Sequence, residues 1–210
     1  ADPSQLGDAQ VARYSELMTA SQPMVAQQVL DAVNLRGARC LLDVGGGEGA
    51  FVQAVAARAP HLKLMLFDLP AVADRAHTRL ARLDLAGRVQ VHGGSFLRDP
   101  LPRGADVISL VRVVHDHDDA VIAALLRAAR AALPPGGRLL VAEPMAGTPG
   151  ATAMGDAYFG IYLLAMRSGR PRTPERLTEM LRDAGFGRVR QVRTHQPLLA
   201  GVIEATVHPG

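Results

Sequence analysis

The stretch Leu41-Leu42-Asp43-Val44-Gly45-Gly46-Gly47-Glu48-Gly49 decides the fold. Leu41, Leu42 and Val44 suit a strand covered on both faces. The strand runs into a glycine turn and then into a helix predicted to start near Ala50. Glycines permit the sharp turn and leave the backbone N–H groups open to a ligand. The helix behind them carries partial positive charge and unpaired donors at its N-terminus. A nucleotide-like ligand is therefore expected against the turn. The plain alternative is a ligand-free strand-to-helix turn. So many adjacent glycines count against it, because they weaken a fold that does not need them.

Gly45, Gly47 and Ala50 also fit the relaxed dinucleotide fingerprint G-x-G-x-x-G/A. This keeps an NAD-dependent oxidoreductase open. Asp43, two residues before the first glycine, favours another ligand. A carboxylate there is awkward for a pyrophosphate but suits the cationic amino-acid end of S-adenosylmethionine.

Composition narrows the rest. The chain has 210 residues, enough for one domain or one with an appendage. Its 48% apolar content supports a large core. It shows no run of 18 apolar residues, so no membrane span is predicted. A basic-then-apolar N-terminal signal is missing as well. The lone Cys40 excludes an internal disulfide and fits a reducing cytoplasm. Its place in the first strand predicts a buried, inert thiol. Net charge is +3, carried by 22 Arg and Lys63. From Arg167 to Arg193 eight Arg face three acids, but the stretch lacks aromatic interleaving, with Phe186 alone among them, and no nucleic-acid motif appears. These arginines read as solvated helix faces, not as a nucleic-acid surface.

In chain order, Asp8 to Leu35 reads as two helical pieces with a break near Ser21-Gln22-Pro23, and Pro suits a new helix's first turn. Tyr14 and Met18, four apart, share a face. Phe51 to Ala59 reads as helix, Leu62 to Leu69 as strand and Pro70 to Leu85 as helix. Arg88 to His92 is a short strand. Ala105 to Val114 is the fourth, central strand, followed by a helix from Ala120 to Leu133 and a fifth strand from Arg138 to Glu143. Gly155 to Met166 reads as an aromatic-rich helix with Tyr158, Phe159 and Tyr162. Thr173 caps a further helix with Pro174 at its first position. Val189 to Thr194 and Leu198 to Val207 form a terminal pair of strands.

Strands alternating with helices predict an α/β, Rossmann-like fold: a mainly parallel sheet with helices on both faces and an antiparallel terminal strand. Ligands bind such sheets outside the carboxyl ends of the strands. Five polar candidates fall there: Asp43 with its glycines, Asp68, Ser95, His115 with Asp116, and Glu143. Asp68 lies 23 residues after Gly45, near the spacing at which an acid accepts ribose hydroxyls. An N-cap or loop carboxylate is its bland alternative. His115 is a candidate general base, with Glu143 able to fix its tautomer. A loop histidine without a role is the competing reading. Asp116 either joins that chemistry, caps the next helix or shapes the loop. His115-Asp116-His117-Asp118-Asp119 is also dense in metal-ligand types. The other histidines form no second cluster, and acids are favoured where a helix begins, so no metal is expected.

An ordered set of motifs completes the picture: Leu-Leu-Asp-Val-Gly-Gly-Gly-Glu-Gly (41–49), Phe-Asp-Leu-Pro (67–70), Gly-Gly-Ser-Phe (93–96), Val-Val-His-Asp (113–116), Ala-Leu-Pro-Pro-Gly-Gly (132–137), Ala-Glu-Pro (142–144) and Arg-Thr (172–173) before Ala-Gly-Phe (184–186). With these the chain resembles the catalytic domain of class I S-adenosylmethionine-dependent O-methyltransferases acting on small molecules in plants and bacteria. The resemblance implies a seven-stranded sheet. Residues 1–36 would be a helical lead-in and 37–210 the cofactor domain, with the family's N-terminal winged-helix dimerisation domain absent from this chain. It implies that Gly45 and its neighbours face the cofactor's methionine part, that Asp68 and Leu69 meet the ribose side, and that Ser95 and Phe96 flank the adenine. Ser21 would touch the methionine carboxylate, and Arg112 would also bind the cofactor. Tyr14, Met18, Tyr158, Tyr162 and Met166 would line the acceptor pocket, His115 would be the base, and Glu143 would orient it.

The implied reaction moves a methyl group to a hydroxyl of a small acceptor and leaves S-adenosylhomocysteine. The full-length protein would be a cytoplasmic homodimer. Residues 158–173 most resemble the bacterial branch that methylates carotenoid hydroxyls, and their apolar side chains suit a long hydrophobic acceptor. There are departures. Ser95 stands where the family commonly has Asp, and Pro171 where many members carry a second His-orienting acid. Arg112 and His117 replace Trp of plant members, and Val111 replaces their Lys. The departures at Ser95 and Pro171, with the missing first domain, motivate a catalytically silent, methyltransferase-like binding module as a further alternative.

Overall fold

β1 (Cys40–Val44) is buried at all five positions and lies inside the sheet. It pairs in parallel with β2 (Lys63–Asp68) on one side and β4 (Val107–Val111) on the other. β3 (Val89–Gly93) extends the sheet beyond β2, and β5 (Arg138–Glu143) extends it beyond β4, both parallel. β7 (Gly201–Thr206) lies antiparallel between β5 and β6 (Arg188–Val192). The order is β3-β2-β1-β4-β5-β7-β6. The strand that ends the series in sequence is thus the reversed one, but it is interior to the sheet, and β6 takes the edge. The computed structural model describes residues 21–148 and 171–210.

Side-chain alternation sends each central strand's residues into two layers. Leu42, Val44, Ile108, Leu110, Leu139 and Val141 face α4 (Asp119–Ala132) and α5 (Pro174–Asp183). Leu41, Leu64, Leu66, Val107 and Leu140 face the other layer. That layer contains α1 (residues 21–32), α2 (Ala50–Arg58) and α3 (Pro70–Arg82). α1 buries Val25, Ala26, Val29 and Leu30 in this core, at the spacing of one helix face. Thr173 caps α5 by accepting the Arg176 N–H at 3.3 Å, with Pro174 in the first turn, as its sequence predicts. Cys40 is buried, and burial raises its thiol pKa, in keeping with an inert group.

Two predicted boundaries need correction. The fourth strand spans Val107–Val111, not Ala105 to Val114. Arg112 adopts φ 60°, a left-handed conformation that ends the pleat, and the apolar Val113 and Val114 enter a short 3-10 turn (Val114–Asp116). The last strand begins at Gly201, not Leu198. The preceding residues form a turn in which the Leu199 and Ala200 N–H groups donate to the Gln196 carbonyl.

Candidate active site

Because β1 to β5 are all parallel, their carboxyl ends share one rim. Asp68 ends β2 and His115 follows β4. With only β1 between them, β2 and β4 stand two inter-strand steps apart, about 10 Å, so both residues open onto the same stretch of that rim.

The glycine turn is built around close approach. Gly45 has φ 69°, and a Cβ there would meet Val113 Cγ2 at 2.7 Å. Gly47 has φ 57°, and its N–H donates to Asp68 Oδ2 at 2.8 Å. The other Asp68 oxygen accepts the Leu69 N–H at 2.7 Å. Asp68 therefore ties the end of β2 to the turn, and Leu69 beside it is 51% exposed. α2 starts at Ala50 behind Gly49, with no side-chain cap and no acid in its first turn, so its first N–H groups have no side-chain acceptor from the helix itself.

Asp43 is 1% exposed. Its Oδ1 accepts the Ser109 hydroxyl at 2.7 Å from the neighbouring strand. Its Oδ2 is buried without a hydrogen-bond partner. A Cβ on Gly46 would lie 2.7 Å from that oxygen, so only glycine leaves the carboxylate space beside the turn. Burial pushes the Asp43 pKa up to about 7; the Ser109 hydrogen bond opposes this and the Asp68 charge adds to it. A buried carboxylate of this kind fits a cationic ammonium group and repels a pyrophosphate.

Ser95 and Phe96 follow β3. The Ser95 N–H donates to Asp99 Oδ2 at 2.8 Å, closing the turn. The Phe96 ring meets the His117 ring edge-on, with centroids 5.2 Å apart. Burial lowers the His117 pKa. Ser21 and Arg112 also come together: an Arg112 guanidinium nitrogen donates to Ser21 Oγ at 2.9 Å and to Gln22 Oε1 at 3.2 Å. The described part of α1 is thereby tied to the end of β4.

His115 is 1% exposed and Glu143 is fully buried. Glu143 Oε2 accepts the His115 backbone N–H at 3.0 Å and lies 3.3 Å from Nδ1. On the far side of the ring, Nε2 lies 3.2 Å from Asp116 Oδ1, close enough for an ion pair but not aligned for a hydrogen bond. Asp116 thus turns to the imidazole. Of the alternatives for Asp116, the helix cap is not the one taken, since the N-cap position of α4 is Asp118, with no side-chain cap. Burial works against a charged ring, but Asp116 and Glu143 together outweigh it and raise the His115 pKa to about 9. Among the described residues no three His, Cys, Asp or Glu side chains gather as a metal site. Asp119 turns instead to Arg172 and Arg176.

Tyr14, Met18, Tyr158, Tyr162 and Met166 lie outside the described residues. The sequence reading missed Ser109 and Arg172. A lone serine in the apolar run Val107–Val111 was a usable signal for the first. Arg172 stood in the Arg-Thr motif but was read among solvated helix faces; it is buried instead, its place set by carbonyls more than 50 positions away.

The strand order and this polar rim define the Rossmann-like class I methyltransferase fold. The O-methyltransferase domain profile matches residues 5–187, and the chain belongs to that family. It is 49% identical over 194 residues to the demethylspheroidene O-methyltransferase of Cereibacter sphaeroides, covering 92% of this chain and 51% of that protein. The Rhodobacter capsulatus protein of the same name is 50% identical over 193 residues, covering 92% and 48%. The chain thus spans about half the length of these relatives. Human N-acetylserotonin methyltransferase, solved in complex with S-adenosylmethionine, superposes with a TM-score of 0.80 at 27% identity, over 91% of this chain and 55% of that one.

Proposed function

We propose that this chain is the cofactor-binding part of an S-adenosylmethionine-dependent O-methyltransferase. Its acceptor is a hydroxyl on a small hydrophobic molecule of carotenoid type. The observation that carries the reading is the row of functional side chains from five parallel strands along one rim. The names of the most similar relatives support the acceptor class. The same resemblance supports a cytoplasmic homodimer for the full-length protein, and the lone Cys40 agrees with a reducing compartment.

S-adenosylmethionine, when bound, supplies a methyl group already activated as a sulfonium substituent. The chain's own residues bind and align. Asp43 faces the ammonium group, and the Gly45–Gly47 turn takes the methionine part with Ser21 and Arg112. Asp68 keeps lone pairs for the ribose hydroxyls while holding Gly47. Leu69 would stand beside the ribose with Asp68, and Ser95 and Phe96 would border the adenine. His115 Nε2 takes the acceptor hydroxyl's proton, while Nδ1–H donates to Glu143 Oε2. The ring must first give up the proton it holds between two carboxylates, so methyl transfer rises with pH up to about 9.

Titration calorimetry with S-adenosylhomocysteine and with NAD, followed by methyl transfer to demethylspheroidene, tests this. We expect S-adenosylhomocysteine to bind and NAD not to. His115→Gln should keep that binding and lose about 10²–10⁴-fold in turnover. NAD binding would return the oxidoreductase reading. Binding without transfer to any hydroxylated acceptor would leave a silent ligand-binding module. Equal turnover in the variant would remove the base.

A further inference from the structure

The turn that carries His115 is poorly held by its own backbone. Its internal hydrogen bonds are long: Asp116 N–H to the Val113 carbonyl at 3.3 Å, and His117 N–H to the Val114 carbonyl at 3.5 Å. It follows Arg112 in its left-handed conformation. A three-residue 3-10 turn with such bonds needs outside support if the imidazole is to keep a fixed place.

Arg172 supplies that support. Its side chain is 1% exposed. One terminal nitrogen donates to the Val114 carbonyl at 2.8 Å and the other to the His117 carbonyl at 2.7 Å. These carbonyls bracket His115 and Asp116. Nε donates to Asp119 Oδ1 at 2.9 Å, so the buried cation has its counter-charge at the start of α4. The Arg172 carbonyl accepts the Ala146 N–H at 3.0 Å, three residues beyond Glu143. One residue thus grips the loop bearing the base and also touches the segment that leaves the strand bearing its orienter.

We propose that Arg172 is a positioning residue: its planar fork sets where the His115 ring stands between Asp116 and Glu143. This rests on the base role proposed above. A lysine keeps the charge but has no fixed fork to span two carbonyls and a carboxylate. Arg172→Lys should therefore fold and bind S-adenosylhomocysteine like the wild type while its imidazole drifts. A displacement of the order of 1 Å costs about 10²-fold in rate, so that loss is expected in kcat for the acceptor used above, with KM for S-adenosylmethionine little changed. The ring should lose part of its carboxylate contact. Its titration, followed by NMR of the His115 ring carbons, should move down toward the ordinary histidine range.

Should Arg172→Lys fail to fold, Asp119→Asn weakens the same grip from the other side and must move the His115 titration in the same direction. An unmoved His115 midpoint, with turnover within about twofold of wild type, would overturn the proposal. The two ideas fail separately. If the wild type transfers no methyl group, the enzyme reading falls, while the ring titration still decides the positioning role.

Discussion

Replacing Glu143 with Gln removes one of the two carboxylates beside the imidazole and keeps the shape of the side chain. The amide oxygen can still accept the His115 backbone N–H, which the carboxylate accepts at 3.0 Å. The turn should therefore stay in place while the charge goes. The ring's rise from 6.5 to about 9 is the sum of two carboxylate attractions minus a burial penalty. If the two attractions are comparable, removing one takes away more than half of that net rise, because the burial penalty remains. The His115 midpoint should fall by more than about one unit, at about 1.4 kcal/mol per unit.

The sign for stability follows from linkage. A group whose pKa is raised by folding contributes stability that is complete below 6.5 and is lost as pH rises through about 9. Between roughly pH 6 and 9.5 the wild type should lose up to about 3 kcal/mol from this group, and Glu143→Gln should lose markedly less. Ring-carbon NMR reads the midpoint, and urea unfolding across the same range reads the stability. The pH limb of methyl transfer should move down with the midpoint. A midpoint that stays put in a folded Glu143→Gln protein would refute the account, since the charge would then have been doing nothing to the ring.

Asp43 should make cofactor binding pH-dependent. Its carboxyl is raised to about 7, so an arriving ammonium group should expel a proton below that pH. Affinity for S-adenosylhomocysteine should rise with pH up to about 7, and calorimetry in buffers of different ionisation enthalpy should detect the released proton; Asp43→Asn should abolish both effects. Gly45→Ala combines an unfavourable φ of 69° with a Cβ 2.7 Å from Val113 Cγ2. It should cost on the order of 1–3 kcal/mol in urea unfolding and weaken S-adenosylhomocysteine binding.

The fold was legible because local signals and tertiary packing agree. Arg138 to Glu143 reads as a strand and is one, bounded by the Gly136-Gly137 turn and Pro144. Thr173-Pro174 marks a helix start from side-chain chemistry that acts within three residues. The rim was legible because parallel strands bring their carboxyl ends together whatever the details. What the sequence hid depends on distant partners. Val113 and Val114 look like strand, but the left-handed Arg112 is tied to Ser21 and Gln22, 90 or more positions away. Asp116 could have capped α4 as far as spacing tells. It meets the imidazole because the 3-10 turn swings it there. Asp43 and Ser109, 66 positions apart, become partners only through the β1–β4 register.

The reversed strand β7 has a consequence for solubility. By lying between β5 and β6 it leaves β6, with Arg188 and Arg190 exposed, as the open margin on that side of the sheet. Arg190 is held there by Glu204 at 3.0 Å, from the strand behind. A margin studded with like charge is a poor template for a second copy of itself. Its interior place therefore denies Gly201–Thr206 a free edge, and among the described residues a charged strand stands there instead.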